Sequence, residues 1–407
     1  MPLRSYLRAR PAMWALPVTT VLVILYVRSW PPADDEYGLS HWAHGLSTVY
    51  LLGPVAAGFA AWELGRLRAA RVLEAPNVRS PFRVAATPLL AVVGAAWLAM
   101  LVAVLAVGVT GLPPLTLLAA PFGAVLALTA VGALLGATTR LVVAVPVAFL
   151  GSYLWMVLPM GAEPLWLRHL TGHWSSCCVI GTEVAPEAAV GALLVDLAVV
   201  ACCGLLLLRR RSAVVAGTAL LVLAVGAAGG VLSVRHLGPD PVRPRQDALL
   251  CRTVDGVRTC VWPEHSARLT EVSDVAAAAA NAWETYGLTP PTAFTEGVSQ
   301  APAQVTFGFR GDATAADLAR SVSVAVLPPF PACAATSPWP AYDLQPYLAA
   351  WLVAATGLAD PFPGTEPAVR DTVSALRSRP VSEQATWAHD AVAALAGCDS
   401  AGPAVRR

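Results

Sequence analysis

Residues 115–160 read "LTLLAAPFGAVLALTAVGALLGATTRLVVAVPVAFLGSYLWMVLPM". Arg140, which closes the tetrad "ATTR" at 137–140, is the one charged residue in the run. A helix rises about 1.5 Å per residue, so crossing a bilayer core takes about 20 apolar residues. The run is twice too long for one crossing and right for two, folded back at a tight polar turn. Pro121 and Pro146 interrupt its halves, which membrane helices tolerate better than soluble ones. Gly132 and Gly136 have the small-x-x-x-small spacing of a close helix contact, although Gly- and Ala-rich helices also produce it by chance.

Working outward, comparable apolar runs at about 13–29, 46–63, 87–109, 189–208 and 213–234 bring the expected crossings to seven. Composition agrees: 56% of residues are hydrophobic, 13% are charged, and mean hydropathy is +0.61, the signature of a membrane protein. A net charge of +1 supplies no field for a nucleic-acid partner. All the basic residues are arginine; there is no lysine. The first run is expected to remain as a helix, because "SWPPADDEY" lacks the small-x-small site at which a signal peptide is cut.

Arginine placement sets the expected orientation. Arg4, Arg8 and Arg10 precede the first run; Arg66, Arg68, Arg71, Arg79 and Arg83 lie between the second and third. Arg140 marks the fourth turn and Arg209, Arg210 and Arg211 the sixth, whereas the alternate connections are acidic, neutral or hold only Arg168. The basic segments then face the cytoplasm, and seven crossings leave everything after residue 235 outside the cell membrane.

That outer region, 236–407, has no long apolar run. It opens on "LGPDPVRPRQD" (237–247), which reads as a short stiff linker. Next comes "CRTVDGVRTC" (251–260), nearly a mirror image about Asp255-Gly256. Asp-Gly between β-prone residues predicts a two-residue hairpin in which Val254 faces Val257, Arg252 faces Thr259 and Cys251 faces Cys260. Opposed cysteines at a non-hydrogen-bonded position, about 4.5 Å apart at Cα, suit a disulfide, and disulfides persist in an oxidising compartment. Cys333 and Cys398 then pair by elimination, with Cys177 and Cys178 held back as the other cysteines expected outside. Cys202 and Cys203 lie within the sixth run and read as small packing residues. Helices are expected from Pro263 through "LTEVSDVAAAAANAW", over 314–327 with a Thr314–Asp317 capping box, and over about 343–357, 366–378 and 382–397. A strand is expected in "AQVTFGFRG" (303–311). The fold class is thus an all-α polytopic bundle followed by a small, mainly helical α+β domain.

No nucleotide-binding loop, H-E-x-x-H or G-x-S-x-G motif is present, so nothing points to catalysis or to a cofactor. His41/His44 and His169/His173 have helix-face spacing, with Cys177-Cys178 close by. Spacing alone does not make ligands converge, and no metal is expected. Asp196 sits well inside the sixth run. A carboxylate there is costly and points to a substrate- or gating-related role, or else to a structural bond with a neighbouring polar group.

"GPVAAGFAAWELGRLRAARVLEAPNVRSPFRV" (53–84) resembles the second span and following cytoplasmic loop of type-2 ABC-transporter permeases of the actinobacterial kind. "GALLGATTRLVVAVPVAFLGSYLW" (132–155) resembles their fourth–fifth hairpin, and "LRHLTGHWSSCC" (167–178) their extracytoplasmic segment. The resemblance covers residues 1–211, leaves 212–235 as a seventh helix, and makes 236–407, with "CVWPEH" and "WAHDAVAALAGC", similar to an uncharacterised ectodomain on such chains. It implies a non-catalytic subunit that dimerises and works with a separate ABC ATPase. Arg66, Arg68, Arg71 and Glu74 would present a short charged coupling helix, unless these arginines only enforce topology. The seventh span and outer domain depart from the six-helix pattern. They leave open a membrane-anchored sensor, immunity or envelope-interaction protein without transport activity.

Overall fold

The computed structural model describes residues 11–34, 36–72, 81–109, 111–174, 177–208, 212–298, 303–335, 339–358, 366–398 and 402–403. The chain divides into two compact units, residues 1–243 and 244–407, each with its own core.

The first unit is a helical bundle: α1 (Pro11–Ser29), α2 (Gly38–Leu46), α3 (Val49–Ala69), α4 (Pro81–Val107), α5 (Leu115–Thr138), α6 (Leu141–Gly161), α7 (Pro186–Leu208) and α8 (Ala213–Val234). Among the described residues, six helical stretches are long and apolar enough to cross a membrane: 38–69, 84–107, 115–138, 141–161, 186–207 and 213–234. Seven crossings were expected. The first corresponds to α1, whose described apolar stretch, Pro17–Ser29, is shorter than a crossing. The second run starts earlier than its hydropathy suggested, because the polar-looking "GLSHWAHGL" is itself helical and leads into α3.

Backbone contact holds α3 against α5. Gly53, Ala57, Ala61 and Gly65 recur every fourth residue along α3 and form one narrow face. Gly132 and Gly136 of α5 lie so close to this face that an added Cβ would run into the Ala57 and Ala61 carbonyl oxygens. The small-residue spacing seen in the sequence is therefore a real contact, and α3 supplies the matching half. The α7–α8 hairpin repeats the device: a Cβ at Gly230 would approach the Gly191 carbonyl oxygen to 2.9 Å. Without a hydrophobic drive between helices in lipid, such close packing is what associates them. Outward faces stay apolar, as at Val142, Leu158, Val214 and Leu220, and suit hydrocarbon.

The second unit carries a four-stranded sheet in the order β3 (Leu250–Val254), β4 (Val257–Val261), β5 (Ala293–Thr295), β6 (Gln304–Thr306). The hairpin register is the expected one, with Cys251 opposite Cys260 and Val254 opposite Val257. Asp255 and Gly256 both take positive φ, 47° and 81°, as a type I′ turn requires. Helix α9 (Leu269–Glu284) carries the chain from β4 to β5, which pair in parallel, as do β5 and β6. Helix α10 (Ala315–Ala325) begins in the expected Thr314–Asp317 capping box. Hydrogen bonds to Thr314 hold the exposed Asp317 carboxyl below its usual range. Helices α11 (Gln345–Thr356), α12 (Pro367–Arg377) and α13 (Val381–Ala396) lie within a residue or two of expectation. Trp283, Trp351, Phe294 and Leu318 are fully buried in the core. The chain as a whole is mostly helical, with its larger sheet in the C-terminal part.

A two-stranded sheet pairs β1 (Thr182–Val184) with β2 (Val242–Pro244). The stretch read as a stiff linker, 237–247, is therefore tied down in its first half: the Gly238 carbonyl meets His169, and Arg243 pairs with Glu183 at 2.8 Å.

Candidate functional site

The described residues of the connection between α6 and α7, 162–174 and 177–185, are folded inward over one end of the bundle. A 3₁₀ turn, Leu165–Thr171, packs between α6, α7 and α8 and ends at Gly172 with φ 69°. A side chain there would bring Cβ within 2.9 Å of the Ala120 carbonyl of α5, so glycine is required for conformation and for space. The Trp174 indole N–H donates to the Leu117 carbonyl at 3.1 Å, and the Ile180 N–H to the Asp34 carboxylate at 2.9 Å. Leu170, Thr171, Trp174, Cys177 and Cys178 are buried. Loop segments usually run over the surface; this one is built into the end of the bundle as a cover.

Beneath the cover, aromatic and imidazole rings from four segments form a chain. His44 of α2 stacks on Tyr26 of α1 at 6.3 Å, Tyr26 meets Tyr50 of α3 edge-on at 5.4 Å, and Tyr50 meets His173 of the cover at 5.5 Å. His44 Nε2 reaches the Val27 carbonyl at 3.0 Å, and His169 Nε2 the Gly238 carbonyl at 2.8 Å. His173 differs. Both its ring nitrogens are enclosed and have no partner among the described residues. Burial alone pushes its pKa down to about 4. Burial also lowers that of His169, against the opposing effect of its bond to Gly238.

Asp196 projects from α7 toward α5. It is 6% exposed, and its Oδ2 has no hydrogen-bond partner among the described residues. A Cβ on Gly123 of α5 would lie 2.9 Å from that oxygen. Gly172 of the cover packs on Ala120 and Ala124 of the same turn of α5, so cover and carboxylate share one support. Glu63 of α3 is equally buried, and its Oε1 has no partner among the described residues. Hydropathy ends the second run at 63, which makes Glu63 look like a boundary residue, but α3 continues to Ala69. Its signal was a carboxylate followed by Leu64 and Gly65 before the first arginine.

The arginine segment lies at the other end of the bundle. Helix α3 stops at Ala69, and Arg71 takes φ 56°. The Val72 N–H bonds to the Leu67 carbonyl and the Arg71 N–H to the Arg68 carbonyl, which is a Schellman stop. The expected charged helix of Arg66, Arg68, Arg71 and Glu74 is thus the last turn and C-cap of the span itself through residue 72; Glu74 lies outside the described residues. Arg68 is engaged within the bundle, donating to the Thr139 carbonyl at the α5–α6 turn. Arg66 and Arg71 are exposed.

In the second unit Cys251–Cys260 and Cys333–Cys398 stand as bonded pairs, with Cα separations of 4.1 and 6.0 Å. The sulfurs of the adjacent Cys177 and Cys178 lie side by side. The histidine pairs do not converge, and no metal-holding group of three His, Cys, Asp or Glu occurs among the described residues. "WPEH" forms a buried lock. His265 Nδ1 donates to Glu296 at 2.7 Å, and the other Glu296 oxygen accepts the Trp262 N–H at 2.9 Å. Arg245 lies 4.7 Å over the Trp262 ring and pairs with Glu264 at 3.0 Å.

A family model described as a domain of unknown function (DUF7224) matches residues 259–398. It covers most of the second unit and none of the bundle. No curated protein and no solved structure matches the chain.

Proposed function

We propose that the chain is the membrane-spanning, non-catalytic subunit of an exporter driven by a separate ABC ATPase. It sits in the cell membrane as a homodimer or paired with a second permease. Its N-terminus and arginine segments are cytoplasmic; the cover and the second unit are extracytoplasmic. The observation that carries the reading is the covered end of the bundle. There the buried Asp196 rests on the same helical turn that supports the cover. Intramembrane ionisable groups of this kind mark transport and gating paths. The resemblance of residues 1–211 to type-2 permeases, and the arginine-rich connections, add to it. The second unit has its own core and its own family match. That favours, as the competing reading, a membrane-anchored sensor, immunity or envelope-interaction protein.

Purification of the tagged full-length chain from its native membrane tests the proposal. A nucleotide-binding subunit should co-purify and hydrolyse ATP, and Arg66→Glu with Arg71→Glu should release it while membrane insertion persists. Arg68 is a poor probe because its loss also uncaps α5. Retention of the ATPase by the double variant would remove those residues from the interface. A wild-type preparation with no ATPase would overturn the exporter reading in favour of the sensor.

A further inference from the structure

We propose that His173 is an acid-sensitive latch: neutral, it lies closed against Tyr50; protonated, it leaves that contact and the cover opens. Four observations carry this. The cover is a separate segment whose polar bonds to the rest of its unit include Trp174 to Leu117, Ile180 to Asp34, His169 to Gly238 and Glu183 to Arg243. His173 is the cover residue that meets the ring chain, through Tyr50 at 5.5 Å. Both its nitrogens are enclosed without partners among the described residues. At least one of them carries a hydrogen in either tautomer, so in the closed state a buried donor has no partner among the described residues, and opening hydrates it.

The groups around the ring do not offset a charge. The titratable group facing it from α3 is Tyr50. Tyr26 of α1 stands behind Tyr50, and Tyr153 of α6 acts on Tyr50 in turn. Burial is the sole cause of its lowered pKa, with no carboxylate contributing. His169, on the same segment, behaves differently: its Nε2 can donate to Gly238 whether or not the ring is charged, and Arg168 and Asp240 act on it with opposite sign.

The direction of the pH effect follows. In the open cover His173 titrates near its ordinary 6.5, and in the closed cover near 4. The open state therefore binds more protons between those values. Closure is at full strength above pH 6.5, weakens progressively below it, and stops changing below about 4. Between pH 7.5 and 5 the open-to-closed ratio should rise about 30-fold.

Hydrogen exchange of the full chain in lipid nanodiscs reads this directly, with rates corrected for intrinsic pH dependence. Peptides over 165–180 should lose about 30-fold in protection between pH 7.5 and 5, while peptides from α5 keep theirs. His173→Phe keeps a ring against Tyr50 and removes its titration, so it should abolish most of the pH effect and leave only the smaller part due to the burial of His169. If that variant does not fold, His173→Gln is read the same way. Unchanged protection in the wild type, or the same loss in the variant, would overturn the latch. The outcome is independent of the exporter reading, which the ATPase partner decides.

Discussion

Asp196 was legible in the sequence as a charge inside an apolar run; what it touches was not. Its two readings, a functional group or a structural bond, now differ in a measurable way. With Oδ2 unpartnered among the described residues, Asp196→Ala removes no described hydrogen bond. Apparent stability in detergent should stay within about 1 kcal/mol of wild type, while export or ATPase coupling is lost. A loss of about 2–3 kcal/mol with coupling intact would show that the carboxylate serves a structural partner. Glu63 and His173 escaped notice for opposite reasons. Glu63 sat at an assumed helix end, where hydropathy averages cannot separate inside from outside. His173 sat in a loop, and nothing in "GHWSSCC" announces that a loop folds inward. Burial there comes from Gly172, whose missing side chain admits the Ala120 carbonyl.

The elements were largely readable because apolar length and turn chemistry are local. Asp255-Gly256 set the hairpin register, and Thr314–Asp317 marked the start of α10. β5 was not readable: three residues of strand in "AFT" become one only through parallel pairing with β4 and β6. The α3–α5 seam was half readable, since spacing shows one partner of a contact and never the other. A matched pair of substitutions tests it. Gly132→Ala drives a Cβ into the Ala57 carbonyl, so the helices must part; a loss of at least about 2 kcal/mol in thermal unfolding is expected. Gly151→Ala meets nothing within 4 Å in α6 and should be neutral, or stabilising by up to about 1 kcal/mol. Equal tolerance of both would mean that the seam is looser than described.

For the whole molecule, the decisive question is which end of the bundle faces the outside. Arginine placement, the hairpin cysteines and the cover all bear on that one assignment, and the exporter reading, the ectodomain and the physiological use of the latch depend on it. The direct measurement is labelling of intact cells with a membrane-impermeant maleimide, using single cysteines at Arg71, Val179 and Phe330. All three positions are solvent-exposed in their own units, and the native Cys202 and Cys203 are buried. Val179→Cys and Phe330→Cys should label in intact cells, and Arg71→Cys only after permeabilisation. Labelling of Arg71→Cys in intact cells, with Val179→Cys and Phe330→Cys protected, would contradict the account.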